Sequence, residues 1–224
     1  MLEGVRRYFR ELKRRNKLIA YGCMRLFRSP KVFSFDGRTY TYFWHRYNAT
    51  WRSERAIEIP IFRHLIRASS GARILEVGNV LSHYGPLAHE VMDKYEKVPG
   101  VLNEDVCTFN PGKQYDLIVS MSTLEHVGRD ETPKEPEKIL KAFENLRRLL
   151  APGGRIVVSL PLGSNPAMDR WIEERKISFT RCHYLHRVSP TNEWRETGWQ
   201  EARAARYDDW LPTATGLLVG IIEG

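Results

Sequence analysis

The sequence predicts an α/β fold, a doubly wound and mostly parallel sheet with helices on both faces. Three observations carry this. From residue 72 onward, short apolar segments alternate with helical stretches. Two of those segments, Leu117–Met121 and Arg155–Leu160, are nearly continuous in Ile, Leu and Val, as strands buried on both faces of a parallel sheet are. The first, Arg73–Val77, closes on Glu76 and Gly78, which puts a carboxylate and a tight turn at the carboxyl edge, where ligands of open α/β sheets bind.

The remaining core elements follow in order. Glu90–Tyr95 and Val101–Asn103 read as the second and third strands. Glu135–Leu150 reads as a helix, stopped by Ala151-Pro152-Gly153-Gly154 and a tight turn. The tail Gly216–Ile222 reads as a last core strand, with a partner from Cys182–Trp194. Ahead of this core, apolar residues at steps of three and four predict a helix over residues 2–28, ended by Ser29-Pro30. Asp36-Gly37 between two aromatic, β-branched runs predicts a hairpin, because a type I′ turn needs positive φ at both central residues. A helix from about Ser53 to Ala68 then leads through Ser69-Ser70-Gly71 into the core. The organisation is a basic amphipathic arm (1–31), an aromatic hairpin and helix forming a cap over the acceptor pocket (32–68), and an α/β core (69–224).

Composition bounds the function. With 42% hydrophobic and 28% charged residues, the 224-residue chain is globular and not disordered. No apolar run approaches a bilayer span, and the N-terminus lacks the apolar stretch of a secretion signal. Cys23, Cys107 and Cys182 are far apart and in no metal-ligand spacing, so a reducing cytoplasm is expected, with no disulfide and no metal. The net charge of +8 belongs to residues 1–31, which hold ten Lys or Arg against Glu3 and Glu11; the rest balances. That arm has three surfaces to cover: its own core, a second copy, or an anionic membrane.

Asp93, in Val-Met-Asp-Lys-Tyr-Glu, closes the second strand, placed to accept both hydrogens of a ribose diol. Asp105 follows the third strand, at the height of an adenine amino group. The fourth unit reads Tyr115-Asp116-Leu117-Ile118-Val119-Ser120-Met121-Ser122-Thr123-Leu124-Glu125-His126, and the fifth Leu149-Leu150-Ala151-Pro152-Gly153-Gly154-Arg155-Ile156-Val157. Glu76 and Asp93 also read as solvated strand ends.

In order and spacing, these segments resemble the class I S-adenosylmethionine-dependent methyltransferases over roughly residues 70–162. The resemblance implies a Rossmann-like sheet of seven strands with the last antiparallel, and S-adenosylmethionine as cofactor. It implies cofactor contacts from Glu76 and Gly78 at the methionine end, Asp93 at the ribose, Asp105 with Val106 at the adenine, and Ser122 after strand four. The loop departs from the family's further glycines: Asn79 follows Gly78, and since Asn tolerates the left-handed region, Asn79 keeps the turn. The missing G-x-G-x-x-G counts against nicotinamide and flavin enzymes. His126, after strand four, reads either as a base near the acceptor or as a loop cap. His83 faces the same crevice, with Tyr84; His45 reaches over it or packs in an aromatic cap. No [Asn/Asp]-Pro-Pro-aromatic run follows strand four, so a DNA base is not the expected acceptor. A small molecule, glycan or lipid-linked intermediate is. The rival is a catalytically silent module that uses its basic arm to bind a partner or membrane.

Overall fold

A computed structural model describes residues 31–208 and 213–224; the helix expected over 2–28, with its three possible docking surfaces, lies outside the described residues. The chain opens with β1 (Val32–Phe35) and β2 (Arg38–Thr41), an antiparallel hairpin. Asp36 and Gly37 hold φ of 49° and 70°, the pair of positive values that the Asp-Gly turn demands. After 3-10 turns over Tyr47–Arg52 comes α1 (Arg55–Ala68). The core follows as β3 (Ile74–Val77), β4 (Glu90–Met92), β5 (Val101–Leu102), β6 (Tyr115–Met121), α2 (Lys138–Arg148), β7 (Leu150–Pro161), α3 (Pro166–Glu173) and β8 (Arg181–Arg187). It ends with β9 (Trp194–Thr197), α4 (Trp199–Ala202), the small pair β10 (Tyr207–Asp208) and β11 (Thr213–Ala214), and β12 (Gly216–Glu223).

Among the described residues the main sheet has the order β5-β4-β3-β6-β7-β12-β8-β9. Strands β3 to β7 run parallel, and β12 runs against both β7 and β8. The Rossmann-like layout with a reversed last strand is therefore present, but with eight strands where seven were expected. The extra one is β9, which begins at Trp194, the last residue of the segment read as a single partner strand, and runs on beyond it. Pro190 offers no N–H to a ladder and Asn192 turns with φ 65°, so the chain folds back and Trp194 pairs with Arg187. A second difference concerns Ala151–Gly154, expected to be a tight turn. The register with β6 jumps from Tyr115↔Leu150 to Leu117↔Arg155, so those residues bulge out of one long strand, β7, with Gly153 at φ 71°.

The period-two pattern of the strands feeds two cores, one on each face. Ile118, Ile156, Val158 and Leu218 pack with α2 and α3; Leu117, Val119, Val157, Leu217 and Val219 pack with α1 and the hairpin aromatics Phe33 and Phe35. Helix α1 carries Pro60 in its interior. Proline has no N–H, so the Ala56 carbonyl one turn back loses its helical partner. Phe43 donates its backbone N–H to that carbonyl at 2.9 Å. The defect in the helix is thus the anchor of the segment that follows the hairpin.

The hairpin itself lies against α1 and the far edge of the sheet. Tyr42 Oη accepts the Trp194 N–H at 2.7 Å, Lys31 pairs with Glu193, and the Asp36 N–H at the hairpin tip donates to Glu196 at 3.1 Å. What reaches the carboxyl edge is the stretch after it, from Phe43 to Arg55. Among the described residues, no helix is long and apolar enough to cross a membrane.

Asn145 on α2 holds the loop after β5 to the core. It is 2% exposed, and its Nδ2 donates to the carbonyls of Val106 at 2.8 Å and Phe109 at 2.9 Å. Asn145→Ala strips both buried carbonyls of their donor and is expected to cost about 2–3 kcal/mol, the penalty for buried groups left unpaired. Chemical denaturation checks this: the midpoint should fall with an unchanged slope.

Candidate functional site

A cleft of about 500 Å³ opens at the carboxyl edge of the sheet. Its lining brings together residues from the ends of β3 (Gly78), β4 (Asp93, Lys94, Tyr95), β5 (Glu104, Asp105, Val106) and β6 (Thr123, Leu124, His126), with Asp130 and Glu131 beyond. Gly78 takes φ 90°, and a Cβ there would collide with the Thr123 side chain. The loops after β3 and β6 therefore meet at a point that only glycine fits.

Glu76 shapes that loop from beneath. It is fully buried; Oε1 accepts the N–H groups of Val80 (3.0 Å) and Leu81 (2.8 Å), and Oε2 lies 2.7 Å from His89 Nε2. Glu76 does not line the cleft, and neither does Asn79. The expectation that Asn79 holds a left-handed turn is corrected: Gly78 takes the positive φ, and Asn79 is not among the residues with one. Asn79 works through its groups instead. Its backbone N–H donates to Asp93 Oδ2 at 3.1 Å, its Oδ1 accepts from Ser82 at 2.5 Å, and its Nδ2 is buried without a hydrogen-bond partner among the described residues.

Asp93 lines the cleft but is already engaged. Oδ1 accepts the N–H groups of Tyr95 and Glu96, both at 2.8 Å, and Oδ2 that of Asn79. A carboxylate offers about four acceptor sites, so roughly one remains for a diol instead of two. Asp105 lies at the next strand end. Its Oδ2 is shared by Lys138 (2.8 Å) and Lys94 (2.9 Å), which also share Glu131 at 2.6 and 3.1 Å. Burial alone would raise the Asp105 carboxyl; the Lys138 ammonium, the Cys107 N–H and Lys94 outweigh it and hold it well below the usual range. Val106 lines the floor, 7% exposed.

Ser122 turns away from the cleft. It sits at φ 39°, its hydroxyl donates to Glu58 Oε1 at 2.5 Å, and Thr123 takes the lining position in its place. Behind it lies a charge cluster: buried Glu54 and Glu58 with the partly buried Arg55 at the start of α1, and buried Glu125 from the 3-10 turn Leu124–His126. Arg55 Nη1 donates to Glu58 Oε2 (2.8 Å) and the Met121 carbonyl (2.9 Å), and Nη2 to the Ser122 carbonyl (3.4 Å). Glu58 Oε1 also accepts from Ser159 at 2.5 Å. The sequence reading passed over this cluster. Its signal was a carboxylate inside an otherwise apolar helical run, Ala56-Ile57-Glu58-Ile59-Pro60-Ile61-Phe62, because such an acid is buried only with partners.

The two histidines part company. His126 lines the cleft, half-exposed, with Nδ1 2.6 Å from Asp130 Oδ2 and Nε2 3.6 Å from Glu125 Oε1. His83 lies outside the lining, paired with Glu96 at 3.1 Å and stacked on Tyr47 at 4.4 Å between centroids. His45 packs with Phe43 and Tyr84 in the same aromatic group.

The arrangement suits the cofactor that the resemblance implies. Asp93, Glu104, Asp105, Asp130 and Glu131 face the cleft against one ammonium in its lining, Lys94. Such a site attracts a sulfonium and repels a pyrophosphate. Next to Gly78, Asn79 Nδ2 is a buried donor with no hydrogen-bond partner among the described residues, a group that a ligand reaching this loop would satisfy.

A family model described as "Methyltransferase domain" matches residues 43–202. No curated protein matches the chain significantly. Among solved structures, the chain is similar to the N-methyltransferase NodS from Bradyrhizobium japonicum WM9 in complex with S-adenosyl-L-homocysteine. The identity is 16% and the TM-score 0.44, covering 75% of this chain and 88% of that one. It is also similar to a possible histamine N-methyltransferase from Thermotoga maritima (15%, TM-score 0.42, covering 71% and 86%). A third is CalS10, an amino pentose methyltransferase from Micromonospora echinaspora (17%, TM-score 0.38, covering 80% and 97%). The chain belongs to the methyltransferase domain family, and its cofactor is S-adenosylmethionine.

Proposed function

We propose that the protein transfers the methyl group of S-adenosylmethionine to nitrogen or oxygen of a small molecule, a glycan or a lipid-linked intermediate. The observation that carries this reading is the acidic cleft at the carboxyl edge, with Gly78, Asp93, Asp105 and Val106 along one wall and His126 on the other. In this reading Gly78 and Asn79 hold the methionine end, Asp93 one ribose hydroxyl, and Asp105 with Val106 the adenine. Glu76 and Ser122 act one step back: Glu76 fixes the loop that carries Gly78, and Ser122 ties the loop after β6 to α1.

The bound cofactor supplies a methyl group on a positively charged sulfur, so the protein builds no nucleophile of its own. Its residues hold the acceptor close and aligned, which is worth up to roughly 7–11 kcal/mol in well-oriented systems. His126 is the histidine placed to handle the acceptor's proton, with Asp130 fixing its ring. His83 stacks on Tyr47 beside Tyr84, outside the cleft lining, and takes no part in the transfer. The rival reading is a catalytically silent module of the same fold, and cofactor binding separates the two: titration calorimetry should show S-adenosylmethionine and S-adenosylhomocysteine binding, and absence of both would overturn the enzyme reading.

Two substitutions test the site assignments by the same titration. Asp93→Ala removes the ribose acceptor and the group that joins the loops after β3 and β4. It should weaken cofactor binding by about 1.5–3 kcal/mol, roughly ten- to a hundredfold. Unchanged affinity sinks the ribose role. Gly78→Ala places a methyl against Thr123 at a backbone angle that alanine resists. Cofactor binding should fall below detection while circular dichroism stays native, and Thr123→Ala alone should remain competent.

A further inference from the structure

A second concave surface lies away from the cofactor cleft, between the hairpin and α1. It is a groove of about 650 Å³, walled by residues 38–43 on one side and by Pro60, Arg63, His64 and Arg67 on the other. Arg63 and Arg67 also line a neighbouring hollow of about 560 Å³ that runs to residues 85–89. No carboxylate lines either one. Arg38 and Arg67 are exposed, and their guanidinium groups have no hydrogen bond or ion pair among the described residues. Arg63 is half-buried; its Nη2 donates to the Tyr84 carbonyl at 2.8 Å, and its guanidinium lies 4.8 Å over the Phe43 ring. Burial and the like charge of Arg67 push Arg63 below the ordinary guanidinium value.

Three guanidinium groups without a carboxylate make a field that an anion relieves. The excess is local. The hairpin's own acid, Asp36, faces His183 at 3.8 Å, and across the sheet Arg170 and Arg203 pair with Glu174 (3.9 Å) and Glu173 (2.9 Å). Sequence continuity tells which anion. Residues 1–30 lie outside the described residues, yet they lead straight into β1, and residues 1–31 hold the chain's whole +8. Being of the same net sign, that segment does not neutralise the groove. Its apolar residues recur at steps of three and four among the basic ones, a pattern suited to a lipid interface, where acyl chains take the apolar side and headgroups the basic side. A nucleic acid gives such a stripe nothing to pack on. Val32, 60% exposed, stands where segment and groove meet, paired with Thr41 of the groove wall.

We propose that the groove between the hairpin and α1 is a docking surface for an acidic phospholipid bilayer, with its arginines on headgroup phosphates and the basic N-terminal segment on the same lipid surface. Arg38 on one wall and Arg67 on the other each present a planar fork of donors that matches phosphate oxygens. The groove shares no lining residue with the cofactor cleft. Lipid docking therefore stands apart from the methyltransferase reading, and its test needs no methyl transfer.

The test is co-sedimentation of the full chain with vesicles of phosphatidylcholine and phosphatidylserine in equal parts, beside vesicles of phosphatidylcholine alone. The chain should bind the first and not the second, and more weakly as salt rises. A basic residue near such a surface is worth about fivefold in affinity. Arg38→Gln with Arg67→Gln should therefore weaken binding roughly 25-fold, while circular dichroism stays native, since both side chains are exposed and unpaired among the described residues. Arg38→Lys with Arg67→Lys keeps the charge and should keep most of the binding. Arg170→Gln with Arg203→Gln takes the same charge from the other face of the sheet and should leave binding near that of the parent chain. Equal losses from the two glutamine pairs reduce the effect to net charge and overturn the proposal. Affinity unchanged by the groove substitutions overturns it too, because the N-terminal segment then binds alone. Equal binding to phosphatidylcholine vesicles removes the role of headgroup charge. Tighter binding to poly(U) than to the acidic vesicles, lost with the same two arginines, gives the groove to nucleic acid instead.

Discussion

The site depends on one partly buried guanidinium. Arg55, at the start of α1, bonds Glu58 on its own helix and the carbonyls of Met121 and Ser122 at the end of β6. Ser122 accepts a left-handed backbone, costly for a residue with a Cβ, and in doing so turns both its carbonyl and its hydroxyl toward α1. Removing either partner of such a pair strands a charge out of water, a loss of about 3–5 kcal/mol. The bond therefore sets where the loop 122–127 begins, and with it Thr123, Leu124 and His126. Residues 54–58 and 121–125 behave as one unit, although a line drawn through the sequence between hairpin-and-helix and core separates them.

Much of the architecture was legible because strands buried on both faces leave long apolar runs. Leu117–Met121 and Arg155–Leu160 declared themselves in this way, and the Asp-Gly turn declared the hairpin. The losses came where local signals compete. Pro152-Gly153-Gly154 has turn chemistry, but the ladders on both sides of β7 outweigh it, so it survives as a bulge. β9 is four residues long and carries Arg195, Glu196 and Thr197, a composition without strand periodicity; only Pro190 upstream hinted at a reversal.

For the site, position was easier to read than partnership. The acids after β3, β4 and β5 stand at the strand ends where the sequence put them. What they bond was not legible, because those partners are backbone N–H groups and side chains brought together only by folding: His89 on Glu76, Asn79 on Asp93, Lys138 on Asp105. Net charge was likewise a poor guide. A basic chain of balanced core composition presents an acidic cleft, since charge that is even along the sequence is sorted by the sheet edge on which it lands.

The two rims of the sheet have a bearing on how the protein behaves in a crowded solution. Open edges invite strand addition by neighbouring molecules and, through it, polymerisation. Here one rim is β5, only two residues long, too brief to template a ladder. The other is β9, studded with Arg195 and Glu196, flanked by β1, and held by the Asp36 and Tyr42 bonds of the hairpin. The aromatic hairpin thus acts as a guard rail. By shielding the last strand, it leaves that rim of the eight-stranded sheet little open ladder for a neighbour's strand to extend.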